Sequence, residues 1–196
     1  ALPAELGIAP GASHRKLRVL ALHGGGSNTN ILGYQVLRLR HHALLSDKIE
    51  WNFLQGTIPW TGPPPTRAMQ ALAGGTPLYG FFEPDGRHML DTVDIFLEHV
   101  QTKGPFDIML GFSQGCALID LACAVLRDRG AVTPWSLNLL FNPAAPSFHR
   151  PQDRHPLLFE KAIDVPTISV LGEGDEYFAY GAEQAELYDD PLVLVH

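Results

Sequence analysis

The segment at 111–115 reads GFSQG, so Ser113 is the central residue of a G-x-S-x-G motif. In such a motif the serine lies on a sharp turn between a strand and a helix, and small neighbours are needed because the backbone folds tightly there. The turn exposes the hydroxyl at the positive end of the following helix. A strand-like run, FDIML, precedes the motif and a helical run, CALIDLACAVL, follows it. This context predicts a nucleophilic serine; a structural serine in a glycine-rich turn is the alternative.

A second glycine segment, HGGG at 23–26, directly follows the apolar run LRVLAL. Acyl transfer needs hydrogen-bond donors aimed at the oxyanion, and backbone N–H groups supply them where no side chain blocks the approach. We expect the N–H groups of Gly25 and Gln114 to form this oxyanion hole. A dinucleotide-binding loop is excluded because Thr29 stands at the sixth position, and a phosphate loop lacks its lysine. A tight structural turn remains the other interpretation.

An acidic residue is expected after the serine, because the chain order in α/β hydrolases is Ser, then Asp or Glu, then His. The apolar run TISVL at 167–171 is followed directly by GEGD. Asp175 is favoured by its position three residues past the first glycine, and Glu173 is the second choice. A surface carboxylate in a loop is the alternative interpretation.

The stretch at 55–87 is rich in proline and is predicted to be irregular, yet it carries several aromatic residues. Loops of this length in a compact domain are uncommon and usually functional. We expect this insert to form a wall of the substrate pocket, with Trp60, Phe81 and Phe82 lining it together with His23. Plain core packing is the alternative for the aromatic cluster.

The rest of the chain alternates between apolar runs and helical patterns, which indicates an α/β domain with a mostly parallel central sheet and helices on both faces. Strands are predicted at 17–22, 49–54, 106–112, 135–141, 165–171 and 191–195, and helices at 30–46, 89–100, 115–127 and 180–188.

Length and charge narrow the class of protein further. A chain of 196 residues fits one domain, predicted at 14–196, after a flexible Ala-, Gly- and Pro-rich arm at 1–13. With 14 basic and 21 acidic residues the net charge is −7, which argues against nucleic acid and anionic membranes as partners. No apolar run approaches the roughly 20 residues that span a bilayer.

Cys116 and Cys123 lie seven residues apart in an apolar helical run, so they share one face and are expected to be core residues. Two cysteines suit a reduced compartment, and we expect a cytoplasmic protein. Because Cys116 is close in sequence to Ser113, we also expect a thiol reagent to block the site. The adjacent His41 and His42 face different directions on a helix, so no metal site is predicted.

Three segments in this order, LALHGGGSN, MLGFSQG and SVLGEGDEYF, resemble the FSH family of serine hydrolases, which is related to the ovarian-cancer-associated protein 2 group. The resemblance runs from about Leu17 onward. It implies an α/β-hydrolase fold and a Ser-Asp-His esterase or thioesterase, with Ser113 and Asp175 at the matching positions. Some fungal members release acyl chains from polyketide synthases, and the insert resembles the region that shapes substrate access in such proteins.

The chain differs from the family pattern at the general base. In the family a strand ends in one His, and a glycine-rich turn then leads to a second His, which is catalytic. PLVLVH at 191–196 matches the first, so the base is expected just past His196 and the chain is interpreted as incomplete there. His196 would serve as base only if the end of the chain folded back. His149 and His155 precede the acid, in the wrong order.

The sequence therefore predicts an enzyme that cleaves a carboxylic ester or thioester through an acyl-enzyme. The apolar insert favours an acyl or aromatic substrate, and the Ser-His chemistry needs no metal or organic cofactor. Two other functions stay open: a non-catalytic binding protein that keeps the pocket but lacks the base, and a peptidase or amidase that uses the same triad.

Overall fold

A six-stranded parallel sheet forms the centre of the protein, and the computed structural model describes residues 15–63, 66–83, 85–143 and 150–196. The strands of this sheet are β1 (Leu17–Leu22), β2 (Ile49–Leu54), β5 (Ile108–Phe112), β6 (Leu137–Phe141), β7 (Thr167–Leu171) and β8 (Leu192–Val195), and two short antiparallel strands, β3 (Ile58–Pro59) and β4 (Tyr79–Gly80), pair outside it. The order is β2-β1-β5-β6-β7-β8, with every neighbouring pair parallel.

Helices cover both faces of the sheet, as predicted. They are α1 (Thr29–Gln35), α2 (Leu37–Arg40), α3 (Arg67–Leu72), α4 (Met89–Lys103), α5 (Gln114–Asp128), α6 (Pro151–Arg154) and α7 (Phe178–Ala185), with a 3-10 turn at Pro156–Phe159. Because side chains alternate along a strand, Leu20 and Leu22 pack toward α4 and α5, while Val19 and Ala21 pack toward α1.

Helix α5 is the central helix of the fold. Its residues from Gln114 to Val125 are all buried, because it lies against the sheet, α4 and the 3-10 turn. Cys116 and Cys123 are both buried on it, so the core prediction for them is confirmed. The expectation that a thiol reagent reaches Cys116 is wrong for the same reason: the thiol is wholly enclosed, and burial raises its pKa well above the ordinary range.

The predicted helix at 30–46 is instead two short helices that end at Arg40. The backbone at Val36 (φ −93°, ψ 11°) leaves the helical region while its side chain stays buried. Leu44 is 67% exposed, so apolar packing does not extend the helix that far.

The insert at 55–87 also contains more structure than predicted, namely β3, α3 and β4. Two predicted strands begin too early: the apolar residues Phe106 and Trp135 pack into the core ahead of β5 and β6 without joining the sheet. The predicted arm at 1–13 lies outside the described residues, so it and the domain boundary at residue 14 remain predictions.

The order of the strands creates one natural binding position. The chain passes from β1 to β2 on one side and later returns to β5 on the other side of β1. In parallel α/β sheets the loops at the carboxyl ends of such diverging strands separate, and ligands bind in the crevice between them. Here those loops are the HGGG segment after β1 and the turn that holds Ser113 after β5.

Candidate active site

Ser113 joins β5 to α5 in an unusual backbone conformation. Its φ of 50° and ψ of −113° lie in a region that residues with a side chain rarely adopt. The conformation is held from both sides, because its N–H donates to the carbonyl of Phe141 at 3.2 Å and its own carbonyl accepts from Cys116 N at 2.9 Å. The side chain is half-buried at the start of α5.

The glycines of the motif are required by close packing. A Cβ at Gly115 would lie 2.5 Å from the carbonyl oxygen of Leu22, and one at Gly111 would lie 2.7 Å from Cys116 N. Both distances are too short for a carbon atom. Helix α5 therefore begins directly against the end of β1, which brings the turn at Ser113 next to the HGGG segment.

The HGGG segment lies against the serine turn at two points. A Cβ at Gly24 would lie 3.3 Å from Ser113 Cβ, and one at Gly25 would lie 3.4 Å from Gln114 Cδ. Gln114 is the first residue of α5, so its N–H has no acceptor within the helix. The structure thus places Gly24 beside Ser113 and Gly25 beside the Gln114 side chain. The oxyanion hole formed by the N–H groups of Gly25 and Gln114 stays a prediction.

His23 is fully buried and uses both ring nitrogens. Nε2 accepts from the N–H of Gly56 at 2.9 Å and lies 3.0 Å from the side-chain amide of Gln55, while Nδ1 lies 2.7 Å from the carbonyl oxygen of Gly24. Burial lowers the His23 pKa to about 4, so the ring is neutral at pH 7 and its Nδ1–H donates to Gly24. His23 therefore joins the loops after β1 and β2 and presents no surface to a substrate.

Asp175 lies in the loop after β7. Tyr177 N donates to Asp175 Oδ1 at 2.8 Å, and Asp175 N donates to the Gly172 carbonyl at 3.0 Å. The side chain is half-buried, whereas Glu173 is exposed. Ser113 and Asp175 follow strands that are separated by β6 alone, a lateral offset of roughly 10 Å at the usual strand spacing.

His196 follows β8, on the edge of the sheet. Its N–H donates to the Leu171 carbonyl at 3.0 Å, and its carbonyl accepts from Glu173 N at 2.9 Å. Three strand spacings, roughly 14 Å, separate the backbone of β8 from that of β5. His149 lies outside the described residues.

The three aromatic residues predicted for the pocket wall lie in different surroundings. Phe81 and Phe82 are 2% and 0% exposed and belong to the main hydrophobic core, so their rings do not line an open pocket. Trp60 is half-buried, and its indole ring covers the glycine loop: a Cβ at Gly25 or at Gly26 would lie 2.9 Å from it.

Asn142 is a residue of this edge that the sequence reasoning missed. It directly follows β6 with a φ of 41°, and its Oδ1 accepts from Gly172 N at 3.0 Å. It therefore ties the Asp175 loop to the strand that separates it from Ser113. The available signal was an asparagine directly after a strand, since asparagine is one of the few residues with a side chain that adopt left-handed backbone.

Among the residues that the structure describes, no group of three or more His, Cys, Asp or Glu side chains is arranged to hold a metal ion. None of the helices in the same part of the chain is long and apolar enough to cross a membrane.

The family model described as Serine hydrolase (FSH1) matches residues 12–196. The chain belongs to this family. It is 27% identical over 179 residues to Esterase FPY3 of Fusarium mangiferae, which covers 87% of this chain and 80% of that protein. It is 28% identical over 211 residues to Esterase OVCA2 of Xenopus tropicalis, covering 95% of this chain and 86% of that one.

Solved structures support the fold of this FSH1 chain independently. Arabidopsis thaliana SOBER1 superposes with a TM-score of 0.57 at 15% identity, covering 92% of this chain and 88% of that structure. The predicted α/β-hydrolase fold, the resemblance to the FSH family and the assignment to the hydrolases are therefore confirmed.

Proposed function

We propose that this FSH1-family chain hydrolyses a carboxylic ester or thioester through an acyl-enzyme formed on Ser113. The observation that carries the proposal is the backbone at Ser113: a positive φ at the first turn of α5, with Gly24 packed against the serine. Such a turn at the N-terminus of a helix, next to three successive glycines, supports a nucleophilic hydroxyl at this position. The esterase names of its curated relatives support the same reaction class.

In the proposed reaction a general base removes the proton from Ser113 Oγ while the oxygen attacks the carbonyl carbon of the substrate. The N–H groups of Gly25 and Gln114 donate to the tetrahedral oxyanion. The protonated base gives its proton to the leaving alcohol or thiol, and the acyl group stays on Ser113. Water activated by the same base then releases the acid and restores the hydroxyl.

Asp175 is proposed to orient the base and to balance its positive charge. The base itself is proposed to be a histidine that follows β8. Two backbone hydrogen bonds, from His196 N to Leu171 and from Glu173 N to His196, direct the chain that leaves β8 toward the Asp175 loop. His196 itself follows β8, three strands from the strand that precedes the serine.

Labelling and turnover test the nucleophile. The full-length protein should be labelled once by a fluorophosphonate probe, with the adduct on Ser113 by peptide mass spectrometry. Ser113→Ala should lower p-nitrophenyl ester hydrolysis by several orders of magnitude. Ser136→Ala is a matched control, because Ser136 is exposed just ahead of β6 at the opposite end of the sheet. Equal turnover by wild type and Ser113→Ala would overturn the proposal.

A substrate panel distinguishes the other two functions. The panel consists of an ester, a thioester and an anilide that carry the same acyl group. For an esterase or thioesterase we expect the ester and the thioester to be cleaved faster than the anilide. Preferential anilide cleavage would indicate an amidase. Stoichiometric binding of the esters by full-length protein with no turnover, and no fluorophosphonate adduct, would indicate a binding protein.

A further inference from the structure

The side chain of Gln114 is held by the insert rather than exposed to the site. Only 2% of the residue is exposed. Its Oε1 accepts a hydrogen bond from Phe81 N at 2.8 Å, and its Nε2 donates to the carbonyl of Phe82 at 3.1 Å. The side chain of the first residue of α5 therefore forms hydrogen bonds with the backbone of two successive residues of the insert.

The space around this carboxamide is closed by two glycines. A Cβ at Gly80 would lie 2.8 Å from Gln114 Oε1, and a Cβ at Gly25 would lie 3.4 Å from Gln114 Cδ. The amide is thus enclosed between β4 of the insert and the glycine loop after β1.

The insert is in turn paired with the glycine loop. Ser27 N donates to the Tyr79 carbonyl at 3.2 Å, and Tyr79 N donates to the Ser27 carbonyl at 2.8 Å. Ser27 is two residues after Gly25, and Tyr79 is two residues before Phe81. A continuous series of contacts therefore connects Gly25 to the Gln114 side chain. It passes along the chain to Ser27, across the Ser27–Tyr79 hydrogen bonds, and along the chain again to Phe81, which donates to Gln114.

We propose that the Gln114 side chain is a positioning residue for the oxyanion hole. By fastening the insert to the start of α5, it fixes the glycine loop relative to the backbone N–H of Gln114 itself, so that the N–H groups of Gly25 and Gln114 converge on one oxygen. This inference rests on the proposed function. Loss of one oxyanion donor costs about 100- to 1,000-fold in kcat, so misalignment of one donor should cost a substantial part of that factor.

Gln114→Met is the direct test, because methionine has similar length and no amide. In the full-length protein, kcat for a p-nitrophenyl ester should fall about 10- to 100-fold while KM changes less than about threefold, since the lost alignment acts on the transition state. Wild-type kcat in a folded Gln114→Met protein would overturn the inference.

Gln114→Glu gives a signature that a merely structural role lacks. A protonated glutamic acid keeps both hydrogen bonds, because its O–H donates to Phe82 in place of the amide. The ionised form instead faces the Phe82 carbonyl with a second oxygen. The kcat of Gln114→Glu divided by that of wild type should therefore be highest at low pH and fall as pH rises. A ratio that does not change with pH would overturn the inference, including in the case where Gln114→Met fails to fold.

Thr92→Val is the matched control. Thr92 Oγ1 donates to the carbonyl of Phe81 at 2.7 Å and is buried, but it fastens this same insert residue to α4 instead of α5. We expect a loss of Tm similar to that of Gln114→Met with kcat within about twofold of wild type. An equal loss of kcat in both variants would mean that Gln114 acts only on the stability of the insert, and it would overturn the inference. Failure of the proposed function is a separate result, since it appears as full turnover by Ser113→Ala.

Discussion

The carboxylate of Asp120 accepts a 2.5 Å hydrogen bond from the hydroxyl of Tyr188, and both side chains are buried. Asp120 lies on α5, two turns after Ser113, and a second hydrogen bond reaches it from the side-chain amide of Gln184. Gln184 is on α7 and Tyr188 follows it. Because α7 begins three residues after Asp175, this buried cluster connects the helix of the nucleophile to the helix of the proposed triad acid.

Asp120 should make the protein less stable as pH rises. Burial raises the Asp120 pKa to about 7, far above its unfolded value. Between about pH 4 and pH 7 the folded state keeps a proton that the unfolded chain has lost, so the free energy of unfolding falls with pH and is flat above 7. Over this pH range, Asp120 lowers the free energy of unfolding by a total on the order of 4 kcal/mol. Asp120→Asn keeps the acceptor for Tyr188 and should lose this contribution. In urea unfolding, the free energy of unfolding of wild type minus that of Asp120→Asn should therefore fall from pH 5 to pH 7 and change little from pH 7 to pH 8.

Tyr188→Phe is the matched variant for this measurement. The Tyr188 hydrogen bond holds the Asp120 pKa down against the effect of burial. Its removal should raise that pKa further and extend the declining slope to pH values above 7. If wild type and Asp120→Asn differed by the same free energy at every pH, the buried carboxyl would not titrate as described.

His23 should change the free energy of unfolding with pH in the opposite direction to Asp120. Its pKa is lowered by burial to about 4, so between about pH 4 and 6.5 the unfolded chain binds a proton that the folded state does not. Stability contributed by neutral His23 is lost as pH falls through this range, on the order of 3 kcal/mol in total. Because the two slopes oppose, Asp120→Asn should reveal a free energy of unfolding that rises from pH 4 to 6.5. Addition of His23→Gln should then remove the rise; its persistence would assign it to other groups.

The strands and the chemical motifs were predictable because their signals are local. β1 and β2 have the predicted bounds, because β1 is a mostly apolar run in the interior of the sheet and the edge strand β2 alternates apolar with polar residues. The turn at Ser113 was recognisable because G-x-S-x-G is a short local pattern, and Gly111 is required by its contact with Cys116, five residues later. These signals depend on neighbours in sequence or on composition alone.

The contacts that fasten the site were not predictable, because each joins segments far apart in sequence. Nothing local shows that the Gln114 amide meets the backbone of Phe81, 33 residues earlier. The burial of Phe81 and Phe82 likewise depends on α4 and α5, and an aromatic pair in a proline-rich loop fits a pocket wall equally well from sequence. Two-residue strands such as β3 and β4 are too short to show any periodicity.

The two cysteines should be inert in the native protein. Both are buried, and burial raises both thiol pKa values above the ordinary range, so little thiolate is available to react. Native protein should show no reaction with the thiol reagent DTNB over minutes. Protein unfolded in urea should release two equivalents of thionitrobenzoate per chain, one for each cysteine. Rapid native reaction of Cys116 with loss of esterase activity would contradict the packing at the start of α5.

Two helical glycines should respond to alanine in opposite directions. At Gly115 in α5 a Cβ would lie 2.5 Å from the carbonyl oxygen of Leu22, which belongs to the sheet and cannot move aside. At Gly33 in α1 the nearest atom to a Cβ is the flexible side chain of Arg40 at 3.5 Å, an ordinary contact. Gly33→Ala should stabilise the protein by about 0.5–1 kcal/mol through helix propensity.

Gly115→Ala should instead destabilise by about 1–3 kcal/mol, the usual cost of overpacking, and should lower turnover more than stability alone explains. The displaced helix start carries both the serine and the N–H of Gln114, so the reacting groups move relative to the glycine loop. Urea unfolding gives the two free-energy changes, and p-nitrophenyl ester hydrolysis below the unfolding transition gives kcat. A Gly115→Ala protein that keeps both values at the wild-type level would mean that α5 does not begin in direct contact with β1.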